Sequence, residues 1–69
     1  METRIFQKVL VDFMRENNLT QMQVSEKIGM RQSQVSNWIN GKSEPTWRSI
    51  LTLSIAFNVC PSFWFGGDA

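Results

Sequence analysis

Leu19-Thr20-Gln21-Met22-Gln23-Val24-Ser25-Glu26-Lys27-Ile28-Gly29-Met30-Arg31-Gln32-Ser33-Gln34-Val35-Ser36-Asn37-Trp38-Ile39 is the stretch whose reading decides the fold. Thr20 suits a helix N-cap, because its hydroxyl accepts from the amides of the turn that follows. The run 21–28 then places Val24 and Ile28 on one helical face. Gly29 stands just past the end of that run, where the chain must take a positive φ. A second helix over 31–39 puts Val35 and Trp38 on its buried face. Two short helices that cross steeply need a small residue at the closest approach, a glycine in the turn and apolar inner faces. Ser25, Gly29, Met30 and the four apolar residues named above fill those requirements in order. Any one of them suits an ordinary helical hairpin; the complete set at this spacing is that of a helix-turn-helix.

Working outward, residues 2–17 read as a helix, with Phe6, Leu10 and Phe13 in one apolar stripe and Asn17-Asn18 at its end. After 31–39, Asn40-Gly41 stops the helix and residues 42–45 form a loop. Thr46 caps a fourth helix over 47–57, whose inward set reads as Trp47, Ile50, Leu53 and Phe57. Pro61 opens a fifth helix over 61–65, and 66–69 reads as a flexible tail. No strand signal or internal repeat competes. The fold expected is therefore all-α: a compact five-helix bundle over 1–65 built round the helix-turn-helix.

Composition narrows the function. With 69 residues there is room for one core, and a hydrophobic share of 42% is too high for a disordered chain. A single cysteine, Cys60, excludes an internal disulfide, and with no histidine a metal site lacks ligands. Neither a cofactor nor a small-molecule ligand is expected. The missing histidine and nucleophile–base pair argue against an enzyme. No apolar run is long enough to span a bilayer, and the polar start does not read as a secretory signal. A cytoplasmic protein of a prokaryote or phage is the expectation. Net charge is only +1, but residues 20–48 carry Lys27, Arg31, Lys42 and Arg48 against Glu26 and Glu44, a local cationic bias that suits phosphate.

The face of the 31–39 helix opposite Val35 and Trp38 holds Ser33, Ser36, Asn37 and Asn40, flanked by Gln32 and Gln34. A merely solvated face usually carries Glu, Lys and Arg pairs; this one has no carboxylate. Amides and hydroxyls of this kind donate to and accept from base edges, and a guanidinium matches guanine. Arg31, Gln32, Ser33, Gln34 and Asn37 are accordingly the candidate base readers, since the N-terminal part of such a helix reaches the bases. Gln21, at the start of the preceding helix, and Asn40, Lys42 and Ser43, in the following loop, are candidates for phosphate. Arg48 either adds a phosphate contact or pairs with Glu44.

Leu19-Thr20-Gln21, Ser25-Glu26-Lys27-Ile28-Gly29, Gln32-Ser33 and Trp38-Ile39-Asn40-Gly41-Lys42-Ser43-Glu44-Pro45 resemble the Cro and repressor, or XRE, class of helix-turn-helix domains. The likeness runs over roughly residues 5–65. It implies a lambda-repressor-like five-helix fold, a role in transcription, dimers and palindromic operators. It implies the same base-reading positions and a phosphate role for Gln21. Met14 and Ile39 depart from the class, which often has arginine and glutamate there, so an apolar contact is expected in place of an ion pair.

A short chain without disulfide or metal often gains stability from a partner subunit. Ile55, where the class often has lysine, and the aromatic residues Phe63 and Phe65 are the candidate dimer contacts. The sequence thus points to a regulator, expected to be a repressor, that binds double-stranded DNA as a homodimer. The alternative is a protein-interaction module on the same fold, such as an anti-repressor, antitoxin or bridging factor.

Overall fold

The computed structural model describes residues 3–66. Four α-helices follow one another: α1 (Thr3–Glu16), α2 (Gln21–Ile28), α3 (Gln32–Ile39) and α4 (Trp47–Phe57), with a closing 3-10 helix, Pro61–Phe65. The described residues hold no strand. None of these helices is long and apolar enough to cross a membrane.

The fold is all-helical as expected, but the fifth element is not an α-helix. Its bonds run three residues back, from Phe63 N–H to the Cys60 carbonyl oxygen at 2.9 Å and from Gly66 N–H to that of Phe63 at 3.2 Å. Five residues between Pro61 and a left-handed Gly66 leave no length for an α-helical ladder. The expected tail begins at this glycine, and its remainder, 67–69, lies outside the described residues.

Apolar spacing explains the packing. Phe6, Leu10, Val24, Val35, Trp38, Ile50, Leu53 and Trp64 are fully buried, with Met14 and Ile28 nearly so. Phe13, expected inside, is half-buried, and Met14 takes the deeper place on α1. Trp64 closes the core beneath α1: its ring lies 6.2 Å from Phe6 and 5.3 Å from Phe13, centroid to centroid. Its indole N–H donates to the Ser54 hydroxyl at 3.2 Å, which donates in turn to the Ile50 carbonyl oxygen at 2.8 Å. A buried indole is thus hydrogen-bonded, as burial demands.

Two expectations about aromatics are corrected. Trp47 does not face the core; it is 62% exposed. It stands about 60° round the helix from Ile50, on the side turned away from the core. Phe63 and Phe65, named as dimer contacts, are not fully exposed either. Phe63 and Phe65 are half-buried and packed against the core, Phe63 edge-on to Phe13 at 5.7 Å. Ile55, by contrast, is 83% exposed.

Candidate nucleic-acid interface

α2 begins with a reciprocal cap. The Thr20 hydroxyl accepts from Gln23 N–H at 3.1 Å, and the Gln23 side-chain oxygen accepts from Thr20 N–H at 2.8 Å. Both of these N–H groups are thereby used. The amides of Gln21 and Met22 have no partner within the helix, since the first turn never does. They sit at the positive end of the helix dipole, the arrangement that suits an anion. Gln21 itself is half-buried at this corner.

The turn between α2 and α3 depends on Gly29. Its φ of +70° is left-handed, and the carbonyl oxygens of Ser25 and Glu26 accept from the turn's N–H groups, Met30 N–H reaching Ser25 at 3.0 Å. Ser25 is buried, and its hydroxyl donates to the Met22 carbonyl oxygen at 2.7 Å, so the small residue at the crossing carries no unmet polar atom. Val24 and Ile28 meet Val35 and Trp38 in the same cluster, and α2 packs directly on α3. The helix-turn-helix read from the sequence is present at the residues expected.

α3 starts one residue later than expected. Arg31 is the N-cap residue, with extended backbone (φ −73°, ψ 145°) and no side-chain cap bond, so its exposed guanidinium is free of that duty. Gln32 and Ser33 are exposed, and Asn37 is half-buried. The side chains of Arg31, Gln32, Ser33 and Asn37 make no hydrogen bond among the described residues. Two neighbours differ. Gln34 is half-buried and its amide donates to the Ser43 hydroxyl at 3.2 Å, while Ser36 accepts from the Asn40 amide at 3.2 Å. Gln34, expected as a base reader, thus supports the loop after α3. Ser43, expected at phosphate, is its partner.

That loop is fixed by backbone bonds. Gly41 takes φ +73°, Lys42 N–H donates to the Asn37 carbonyl oxygen at 2.8 Å, and Gly41 N–H to that of Trp38 at 3.2 Å. This double bond pattern after a left-handed glycine is the Schellman motif. It holds Asn40 and Lys42, both exposed, beside the end of α3. From the far side, the Gln7 amide on α1 donates to the Ile39 carbonyl oxygen at 2.6 Å. Gln7 had no signal in the sequence; it reads as one more polar residue beside an apolar stripe. Gln23 did have one, the Thr20-x-x-Gln23 spacing of a capping box.

The expected apolar replacement of an ion pair is consistent with the packing, since Met14 is buried and Ile39 lies against the same cluster. Among the described residues no group of three or more His, Cys, Asp or Glu stands together as a metal site would require. The arrangement offers one polar, carboxylate-free helix face, with exposed Lys42 in the loop held at its end. Such a surface can lie along a phosphate backbone while presenting amides and hydroxyls to base edges.

Comparison with known proteins agrees with this geometry. Neither a curated protein nor a solved structure gives a significant match to the chain. A protein-family model described as helix-turn-helix matches residues 12–65, which spans all the elements of the interface. The chain belongs to this helix-turn-helix family of DNA-binding, transcription-regulating domains, of the Cro and XRE type.

Proposed function

We propose that this protein is a sequence-specific repressor that lays α3 in the major groove of a palindromic operator and binds it as a homodimer. The observation that carries the reading is the state of the α3 face. Arg31, Gln32, Ser33 and Asn37 point no hydrogen-bonding capacity at their own fold, and no acidic side chain interrupts them. They are the base readers. Gln34 contributes through its bond to Ser43, which braces the loop after α3. Gln21, Asn40, Lys42 and Ser43 hold the two flanking phosphate runs, and the Gln21 and Met22 amides strengthen the first of them. Of the dimer contacts, Ile55 is the one fully presented to a partner.

Selection of bound duplexes from a random library tests this reading. A palindromic consensus is expected, with half-sites about one helical turn apart. Binding to random duplex should also fall steeply with salt. Absence of binding even at low salt would reject the DNA reading and favour an interaction module on the same fold.

A further inference from the structure

A cleft of about 360 Å³ opens between α3 and α4. Its size is that of a small-molecule site. The loop 40–46 joins the two helices at one end only, so the two ends of the cleft differ. Toward the loop it is lined by Trp38, Glu44 and Arg48; toward the turn after α2 it is lined by Ile28, Met30 and Thr52. One end is thus charged and the other mainly apolar. Gln34 stands between them.

The charged end holds polar groups that the fold itself leaves unused. Trp38 is fully buried, yet its indole N–H is the one buried side-chain polar atom without a partner among the described residues. A buried donor left unpaired costs free energy that an arriving acceptor restores. The Arg48 side chain, exposed at the rim, makes no hydrogen bond or ion pair with Glu44 or any other described residue. Glu44 is engaged within the fold, but a carboxylate accepts several donors at once. Composition alone gives no reason to expect a small ligand; these groups do.

We infer that this cleft binds an apolar amino acid, which lowers DNA affinity by parting Gln34 from Ser43. The second half of the inference rests on the DNA-binding reading above. A zwitterion matches the charged end. Its carboxylate accepts from Arg48 and from the Trp38 indole, and its ammonium donates to Glu44. Its apolar side chain then covers Ile28 and Met30 at the other end. A simple carboxylate would meet Glu44 with nothing to offset the repulsion, and a simple amine would meet Arg48 in the same way. The Trp38 N–H is covered, so the ligand reaches it only as lining side chains move aside. Among these Gln34 has a further duty, since its amide donates to the Ser43 hydroxyl at 3.2 Å. Loss of that bond loosens the loop that carries Lys42. The ligand therefore copies removal of the Gln34 amide.

Nitrogen-15 spectra of the chain without DNA test the site, with L-leucine or the larger L-phenylalanine added to about 10 mM. The chain has three tryptophans, so its indole signals carry their own control. The Trp38 indole signal and the Gln34 side-chain amide should shift and saturate, while the indole signals of exposed Trp47 and of Trp64 stay in place. 4-Methylpentanoate, which is leucine without its ammonium, and 3-methylbutylamine, which lacks the carboxylate, should bind about tenfold more weakly. Arg48→Gln and Glu44→Gln should each weaken L-leucine by a similar factor. Arg15→Gln, at an exposed position of α1 outside the cleft, should leave binding unchanged. Saturating L-leucine should weaken duplex binding about fivefold, evenly over sequences. In Gln34→Ala it should have no further effect on duplex affinity. A Trp38 signal that moves with neither amino acid overturns the inference. So does equal binding of the carboxylate or the amine alone, or an unchanged duplex affinity at saturation. A chain that binds L-leucine through these residues but binds no duplex removes the operator reading and leaves the site.

Discussion

The side-chain amide of Gln7 on α1 donates to the carbonyl oxygen of Ile39, the last residue of α3, at 2.6 Å. This bond crosses 32 positions of chain and ties the end of α3 to α1. The carbonyl it satisfies belongs to the last turn of α3, where no N–H of the helix remains to bond it. Gln7→Ala should lower stability by about 1 kcal/mol, the usual net worth of such a bond. It should also weaken operator binding, because Asn40 and Lys42 follow directly from Ile39. Gln7→Glu keeps the shape but loses the donor, and should behave like the alanine variant. Denaturant unfolding and operator titration of the same variants check both effects; unchanged binding in Gln7→Ala would show that the tie is structural only.

Gly29 and Gly41 share a left-handed backbone, φ +70° and +73°, but differ in what surrounds them. A Cβ at Gly29 would meet nothing within 4 Å, so Gly29→Ala carries backbone strain alone, about 1 kcal/mol. A Cβ at Gly41 would sit 3.3 Å from the side-chain oxygen of Gln7. That contact requires Gln7 to give by a few tenths of an ångström, which strains its bond to Ile39. Gly41→Ala should therefore cost more than Gly29→Ala, and the surplus should disappear in a Gln7→Ala background. Thermal melts of the two single variants and of Gly41→Ala/Gln7→Ala form the cycle that decides it.

Trp38 and Trp64 are both fully buried, yet only one has a partner for its indole N–H. That of Trp64 donates to Ser54; that of Trp38 has none in the described structure. A phenyl ring removes the N–H along with some volume in either place. At position 64 the loss includes a hydrogen bond, and at position 38 it relieves an unmet donor. Trp64→Phe should be more destabilising than Trp38→Phe by about 1–3 kcal/mol. Equal costs by chemical denaturation would mean that ring volume, not hydrogen bonding, governs both sites.

How much of this was legible in the sequence follows from the range of the interactions. The helix-turn-helix was readable because its determinants are local. Thr20, Ser25 and Gly29 act within one or two turns of themselves, and the apolar spacing of Val35 and Trp38 marks their buried side whatever covers it. The outward polar face of α3 was readable for the same reason, being fixed by which side of the helix Val35 and Trp38 turn inward. Gln7 was not, since its partner is 32 residues away and no periodicity marks it. Trp47 misled because apolar spacing on α4 fits either side of the helix. Trp47 shares a stripe with Leu51 and Ile55 as well as standing near Ile50, and only the packed neighbours show which set is covered. Phe63 and Phe65 were read as surface contacts, yet Phe63 packs edge-on to Phe13 and both side chains lie against the core, which no local spacing marks.

Asn37, Lys42 and Gln34 should separate three ways of touching DNA. Asn37 has an unengaged amide on the outward face of α3, the geometry that pairs bidentately with adenine. Asn37→Ala should lose about 1–3 kcal/mol of discrimination at one half-site position and leave the salt dependence unchanged. Lys42 is exposed in the loop, with its backbone N–H already committed to Asn37. Lys42→Ala should weaken binding to every sequence alike and reduce the slope of log K against log salt by about 0.9 per contact, counting each half-site. Gln34→Ala takes neither course. Its amide holds Ser43, so the loop carrying Lys42 loosens, and affinity should fall evenly across sequences with a near-normal salt slope. Titrations of these three variants against the consensus duplex and single-base variants, at several salt concentrations, give the slopes and the preferences together. If Asn37→Ala shows the salt signature, or Gln34→Ala changes base preference at a single position, the assignment of these side chains to base and loop is reversed. A base reader removes a preference, a phosphate contact removes counterion release, and a brace removes affinity with neither mark.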